Sequence, residues 1–97
     1  MSNSKEFTMA ANAVKHLHKK PNDEELLKLY GLFKQSTIGD NNNEAPGFLD
    51  FKGKAKHNAW LACKGKNTHA SEVEYITLVN ELIQKYGIIY FEVFCVK

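Results

Sequence analysis

The sequence predicts an all-α protein, a bundle of four helices, and three observations support this. Four segments carry apolar residues at the three- and four-residue spacing of a helix face. No run before residue 88 has the composition or alternation of a strand. The length of 97 residues suits one domain with its own core, which helix-on-helix packing can supply without disulfides or metal.

The first segment covers residues 5–18, with Phe7, Ala10, Ala11, Val14 and Leu17 on one face. Asn3 with Glu6 can form a capping box at its start, and Lys19, Lys20 and Pro21 close it. The second covers residues 23–37. Asn22 with Glu25 makes another capping box, and Asp23, Glu24 and Glu25 suit the positive end of the helix dipole. Leu26, Leu29, Tyr30 and Phe33 form its stripe, which Gly39 and Asp40 interrupt. Residues 40–51 hold Gly, Pro, Asn and Asp, the composition of an ordered loop; one this long in a small domain is usually functional or packed on itself.

The third segment, residues 53–63, has a face of small residues, Ala55, Ala59 and Ala62, that allows close helix approach; Lys64-Gly65-Lys66 ends it. The fourth, residues 68–86, has the strongest amphipathic pattern, with Tyr75, Leu78, Val79, Leu82, Ile83 and Tyr86 in register, and stops at Gly87. Residues 88–97 are nearly all β-branched or aromatic. They are too short to cross a bilayer and have no predicted partner strand in the chain. Exposed, such a segment invites aggregation, so it is expected to be covered. Its open roles are packing on the bundle, a dimer contact, a membrane contact or a lid over a binding groove.

Charge and motifs narrow the function. The formal net charge of +2 argues against a nucleic-acid binder. Two cysteines, Cys63 and Cys95, are too few for a secreted disulfide scaffold, and residues 1–5 carry no signal region, so a cytoplasmic location is expected. There is no nucleophile elbow, P-loop, dinucleotide fingerprint or zinc-ligand spacing, so neither an enzyme nor a metal protein is expected. Cys63 is expected to pack in the core rather than react with His57 or His69. His16 and His18 point about 200° apart on a helix and cannot share a metal.

All 13 basic residues are lysine, a mobile point charge suited to phosphate rather than to base edges, though codon bias alone could produce this. Lys52, Lys54, Lys56, Lys64 and Lys66 lie in a stretch, residues 52–70, without a single acid. By itself this describes a solvated lysine face. Aromatic residues at matching spacing offer a second meaning: Tyr30 and Lys34 stand four apart, as do Lys56 and Trp60, with Phe33 and Tyr75 nearby in the pattern. If they converge, they suit a ligand with phosphates and a flat ring.

The stretch Tyr30-Gly31-Leu32-Phe33-Lys34-Gln35-Ser36-Thr37-Ile38-Gly39-Asp40 resembles the signature of the acyl-CoA-binding protein family. It is followed at family spacing by Asn42, Pro46-Gly47, Asp50-Phe51, Lys52-Gly53-Lys54-Ala55-Lys56 and Ala59-Trp60. Lys15-His16-Leu17, residues 21–27 and Lys85-Tyr86-Gly87-Ile88 also match, so the resemblance covers residues 5–88. It implies a skewed up-down-down-up bundle at residues 1–88, with residues 89–97 as an apolar extension.

The resemblance also implies a non-enzymatic carrier and pool former for medium- and long-chain acyl-CoA, with no cofactor. Tyr30, Lys34 and Lys56 would hold the ribose 3′-phosphate. The adenine would lie against the second and third helices and the acyl chain in a groove of the first two. Lys15 and Tyr75 would complete a site that includes Gly31, Leu32 and Phe33. Expected partners are the ligand and, transiently, acyl-CoA-using enzymes or membranes, but not nucleic acid. The expected state is a monomer, with a tail-mediated dimer as the alternative. Against the family pattern, His57 replaces an aromatic residue, Phe33 a frequent Tyr, Ala45 a basic residue and Ser36 an Ala. Tyr30, Lys34, Lys56 and Tyr75 are all kept. The rival expectation is a lysine-rich module that binds membranes or proteins.

Overall fold

The computed structural model describes residues 3–89; the rest of the apolar extension, residues 90–97, and Cys95 with it lie outside the described residues. The described residues form four α-helices: α1 (Lys5–Ala13), α2 (Asp23–Thr37), α3 (Phe51–Leu61) and α4 (Thr68–Tyr86), with a 3-10 turn at Val14–His16. Each helix starts on a polar side chain that accepts an otherwise unpaired first-turn N–H. Asn22 and Glu25 exchange the two bonds of a capping box, at 2.8 and 2.9 Å. Asp50 caps α3 through the Gly53 N–H at 2.9 Å, and Asn67 caps α4 through the Ala70 N–H at 2.7 Å. Gly87, at a φ of 79° that favours glycine, ends α4.

Three boundaries differ from expectation. The cap of α1 is Ser4, whose Oγ accepts from the Phe7 N–H at 3.1 Å. Asn3 is instead engaged in tertiary contacts, donating to the Ser36 carbonyl at 2.9 Å and the Glu72 carboxylate at 2.6 Å. The α-helix stops at Ala13 rather than continuing to residue 18, because Leu17 turns extended to form an antiparallel bridge with Ile88. The His18 N–H donates to the Gly87 carbonyl at 3.0 Å and the Ile89 N–H to the His16 carbonyl at 2.8 Å. The first residues after α4 therefore do find a partner in the chain. The third helix starts at Phe51 and ends at Leu61, leaving Cys63 just beyond it; partly buried, Cys63 packs against the core with its Sγ 3.7 Å from the Ala59 carbonyl.

The contacts fix the helix directions. Asn3 and Phe7, at the start of α1, meet Glu72 and Tyr75 in the first half of α4, and the Leu17–Ile88 bridge lies beyond the ends of both, so these helices run parallel. Glu25, early in α2, accepts from Lys85 and Tyr86 at the end of α4, so α2 runs antiparallel to α4. Tyr30 meets Lys56 and Lys34 meets Trp60, so α2 and α3 run parallel. The result is the up-down-down-up bundle, with α2 packed on both α3 and α4, and α1 on α4. The core joins Phe7 and Ala10 of α1, Leu29 and Leu32 of α2, and Tyr75, Val79 and Leu82 of α4.

Hydrogen-bonded acids tie this scaffold together. The Lys85 ammonium first, then the Tyr86 hydroxyl and the Asn22 N–H, hold the Glu25 carboxyl down to about 2, against an ordinary 4.5. The Asn3 amide holds Glu72 low, and the Gly65 N–H does so for Asp40. A carboxyl more acidic in the folded chain than in the unfolded one adds stability that is complete above about pH 4.5 and drains as the pH falls toward 2. Glu25→Gln is therefore expected to flatten the loss of melting temperature between about pH 6 and pH 3, followed by circular dichroism. An unchanged slope would remove Glu25 from the acid response.

Candidate functional site

The helical register of α2 places Tyr30 and Lys34 one turn apart on the side that faces α3, and α3 does the same for Lys56 and Trp60. Packing then brings the two pairs together. The Lys56 ammonium lies 5.0 Å from the Tyr30 ring centre, and the Lys34 ammonium lies 6.0 Å from that ring and 5.0 Å from the Trp60 ring. Two cations thus flank one phenol, held at cation–π distances worth about 0.5–1 kcal/mol each at exposed sites. Trp60 is itself fixed, since its indole N–H donates to the Gly39 carbonyl at 2.7 Å and its side chain is buried.

Close contact between these helices depends on Gly31. A Cβ there would strike the Ala59 carbonyl oxygen and lie 2.9 Å from its carbon, so only hydrogen fits. The small face expected around Ala59 is used at this crossing. The loop after α2 is fastened as well: Asp40 accepts from the Gln35 amide at 2.8 Å and the Gly65 N–H at 2.9 Å. The buried Asn41 amide lies 3.1 Å from His57 Nδ1 and donates to the His57 carbonyl at 3.2 Å. The His57 imidazole is thus turned toward this loop.

Beside the cluster, α2 and α3 enclose an open recess of about 440 Å³. Leu26, Leu27, Phe51 and Ala55 give it an apolar wall, with Tyr30, Lys52, Lys56 and Asp23 at its polar edge. The arrangement can take an anion at the ammonium groups, a flat ring against the aromatic faces and an aliphatic chain along the wall. The recess beside the cluster lies between the second and third helices, because α2 packs on α3 as well as on α4.

The other predicted site residues are placed differently. Gly31 and Leu32 are buried in helix packing. Phe33 and Tyr75 belong to a separate aromatic group with Phe7, with ring centres 4.9–5.9 Å apart, where α1, α2 and α4 meet. Burial pushes the Tyr75 phenol up to about 12, so it stays protonated at neutral pH. Lys15 is exposed on the 3-10 turn. Ser36 is buried, with its hydroxyl unpaired among the described residues. Of the five clustered lysines, Lys66 is paired with Glu74 at 2.7 Å. Leu27, Phe51 and Ala55 were missed from the sequence; their signal was the i, i+4 pair Phe51–Ala55 one residue ahead of Lys52–Lys56.

Comparison with known proteins matches this architecture. The family model described as acyl-CoA binding protein matches residues 4–79. An acyl-CoA-binding protein homolog from Drosophila melanogaster is 53% identical over 84 residues, covering 87% of this chain and 98% of the relative. A second, acyl-CoA-binding protein homolog 1 from Caenorhabditis elegans, is 52% identical over 81 residues, covering 84% and 94%. Among solved structures, acyl-CoA-binding protein 2 of Oryza sativa superposes with a TM-score of 0.81 at 36% identity, covering 84% of this chain and 88% of that one. The yeast acyl coenzyme A binding protein superposes with a TM-score of 0.70 at 48% identity, covering 87% and 98%. With a family model over most of its length and relatives about half identical to it, the chain belongs to the acyl-CoA-binding protein family.

Proposed function

We propose that the protein binds medium- and long-chain acyl-CoA esters and serves as their carrier and pool former, with no covalent chemistry of its own. The observation that supports this most is the convergence of Tyr30, Lys34 and Lys56 from two helices at the rim of an apolar recess. The two ammonium groups and the phenol hold the ribose 3′-phosphate, a compact dianion, and the aromatic faces beside them take the adenine. The acyl chain lies along Leu26, Leu27, Phe51 and Ala55. Lys15, Phe33 and Tyr75 border the site more remotely, and Gly31 and Leu32 support it through packing. The ligand then passes to acyl-CoA-using enzymes or membranes in the cytoplasm by transient contact, from a monomer.

The two parts of the ligand contribute by different physics. Each charge-assisted hydrogen bond to the phosphate is worth about 1.5–3 kcal/mol and is directional. Each methylene that leaves water adds up to about 0.8 kcal/mol without direction. Affinity is therefore expected to rise with chain length while the recess can cover the added carbons, then to level off. Titration calorimetry with a series of acyl-CoAs, free CoA and free fatty acid tests this. Free CoA should bind more weakly than any covered acyl-CoA, and free fatty acid weakly or not at all. A fatty acid that binds as well as its CoA ester would overturn the head-group reading.

A further inference from the structure

The turn that leads into α3 has the wrong residues for a turn in water. The Asp50 N–H closes it on the Gly47 carbonyl at 2.9 Å, which puts Phe48 and Leu49 at the two corner positions. Corners of turns normally carry Gly, Asn, Asp, Ser or Pro. Here Phe48 is 76% exposed and Leu49 72%, and Phe51, at the start of α3, is 73% exposed. Phe51 also lines the recess, but Phe48 and Leu49 belong neither to the recess nor to the core, and exposed large apolar side chains so close in sequence mark a contact surface.

The charge behind the turn says what kind. Lys52, Lys54 and Lys56 follow directly on α3 and are exposed. Asp50 is spent on the helix cap, and the sequence from 51 to 70 has no acid. An apolar tip backed by lysines fits a bilayer of anionic lipid: the side chains enter the headgroup boundary while the ammonium groups meet lipid phosphates. Lysine suits a fluid array of headgroups, whereas a fixed protein carboxylate or base edge would favour the fork of arginine, which this chain lacks.

We propose that the Phe48–Leu49 turn and the lysines of α3 form a docking surface for anionic membranes. Phe51 and Lys52 also line the recess, so docking would set its mouth against the lipid. The docking itself does not depend on acyl-CoA binding; its use in loading or unloading acyl-CoA rests on the function proposed above.

The test uses the full 97-residue chain and vesicles of phosphatidylcholine with and without phosphatidylserine. The wild type is expected to sediment with the anionic vesicles only, and salt should release it. Phe48→Ser with Leu49→Ser is expected to lower vesicle association about tenfold or more, and Lys54→Glu several-fold. Neither change should alter melting temperature or acyl-CoA affinity in solution, since these residues lie outside the recess and core. Vesicle association of the double variant equal to wild type would overturn the proposal and assign the membrane contact to another part of the chain. It would also be overturned if the double variant lost acyl-CoA affinity in solution, making the turn part of the ligand site. Loss of self-association without loss of vesicle binding would assign the turn to a second copy of the chain. Failure of wild-type acyl-CoA binding with intact docking would strike the carrier function alone.

Discussion

Alanine in place of Lys34 or of Lys56 is expected to weaken acyl-CoA binding about 10- to 150-fold each, the equivalent of about 1.5–3 kcal/mol for one charge-assisted contact. The fold should survive both changes. Lys56 is exposed and Lys34 half-buried, and neither reaches an acidic partner among the described residues. The protein loses only cation–π contacts with Tyr30 and Trp60, so the melting temperature should fall little. The double variant should cost less or more than the sum, because both ammonium groups flank the same ring and share one phosphate. Calorimetry of the ligand beside thermal melts separates the two quantities. Equal affinity for the wild type and both variants would remove the phosphate site from this cluster.

Gly31→Ala is the second large effect, and its sign is the informative part. In the middle of a helix, alanine in place of glycine normally stabilises by about 0.5–1 kcal/mol. Here the new Cβ meets the backbone of Ala59 on another helix, which no side-chain rotation can relieve. Forcing apart a packed crossing costs about 1–3 kcal/mol, and more at times. A net loss of stability is therefore expected, with a melting temperature lower by about 4–8 °C for each kcal/mol. Acyl-CoA affinity should fall with it, because Tyr30 and Lys34 stand on one side of that crossing and Lys56 and Trp60 on the other. A variant as stable as wild type, or more so, would show that α2 and α3 do not meet at this residue.

The two effects report different links between sequence and site. In the proposed site Lys34 and Lys56 would meet the ligand directly, whereas Gly31 acts by letting the helices that bear them approach. The resemblance places Gly31 within the binding signature; its conformational role is a matter of interhelical distance, which no local pattern expresses.

What the sequence determined by itself was local. Helical periodicity, the Asn22–Glu25 capping box and Gly87 located most helix boundaries, because caps and stripes are set by neighbours a turn away. The pairs Tyr30–Lys34 and Lys56–Trp60 were legible for the same reason, since residues four apart share a face. The start and the end of the first helix failed where a distant residue intervened. Asn3 left its cap for Ser36 and Glu72, and Leu17 left the helix for Ile88. Only the tertiary structure decided that the two aromatic–lysine pairs meet, that Phe33 and Tyr75 face a different cluster, and that the recess opens between α2 and α3. These depend on which helices pack and how closely, and packing couples residues 25 or more positions apart, beyond the reach of any periodicity.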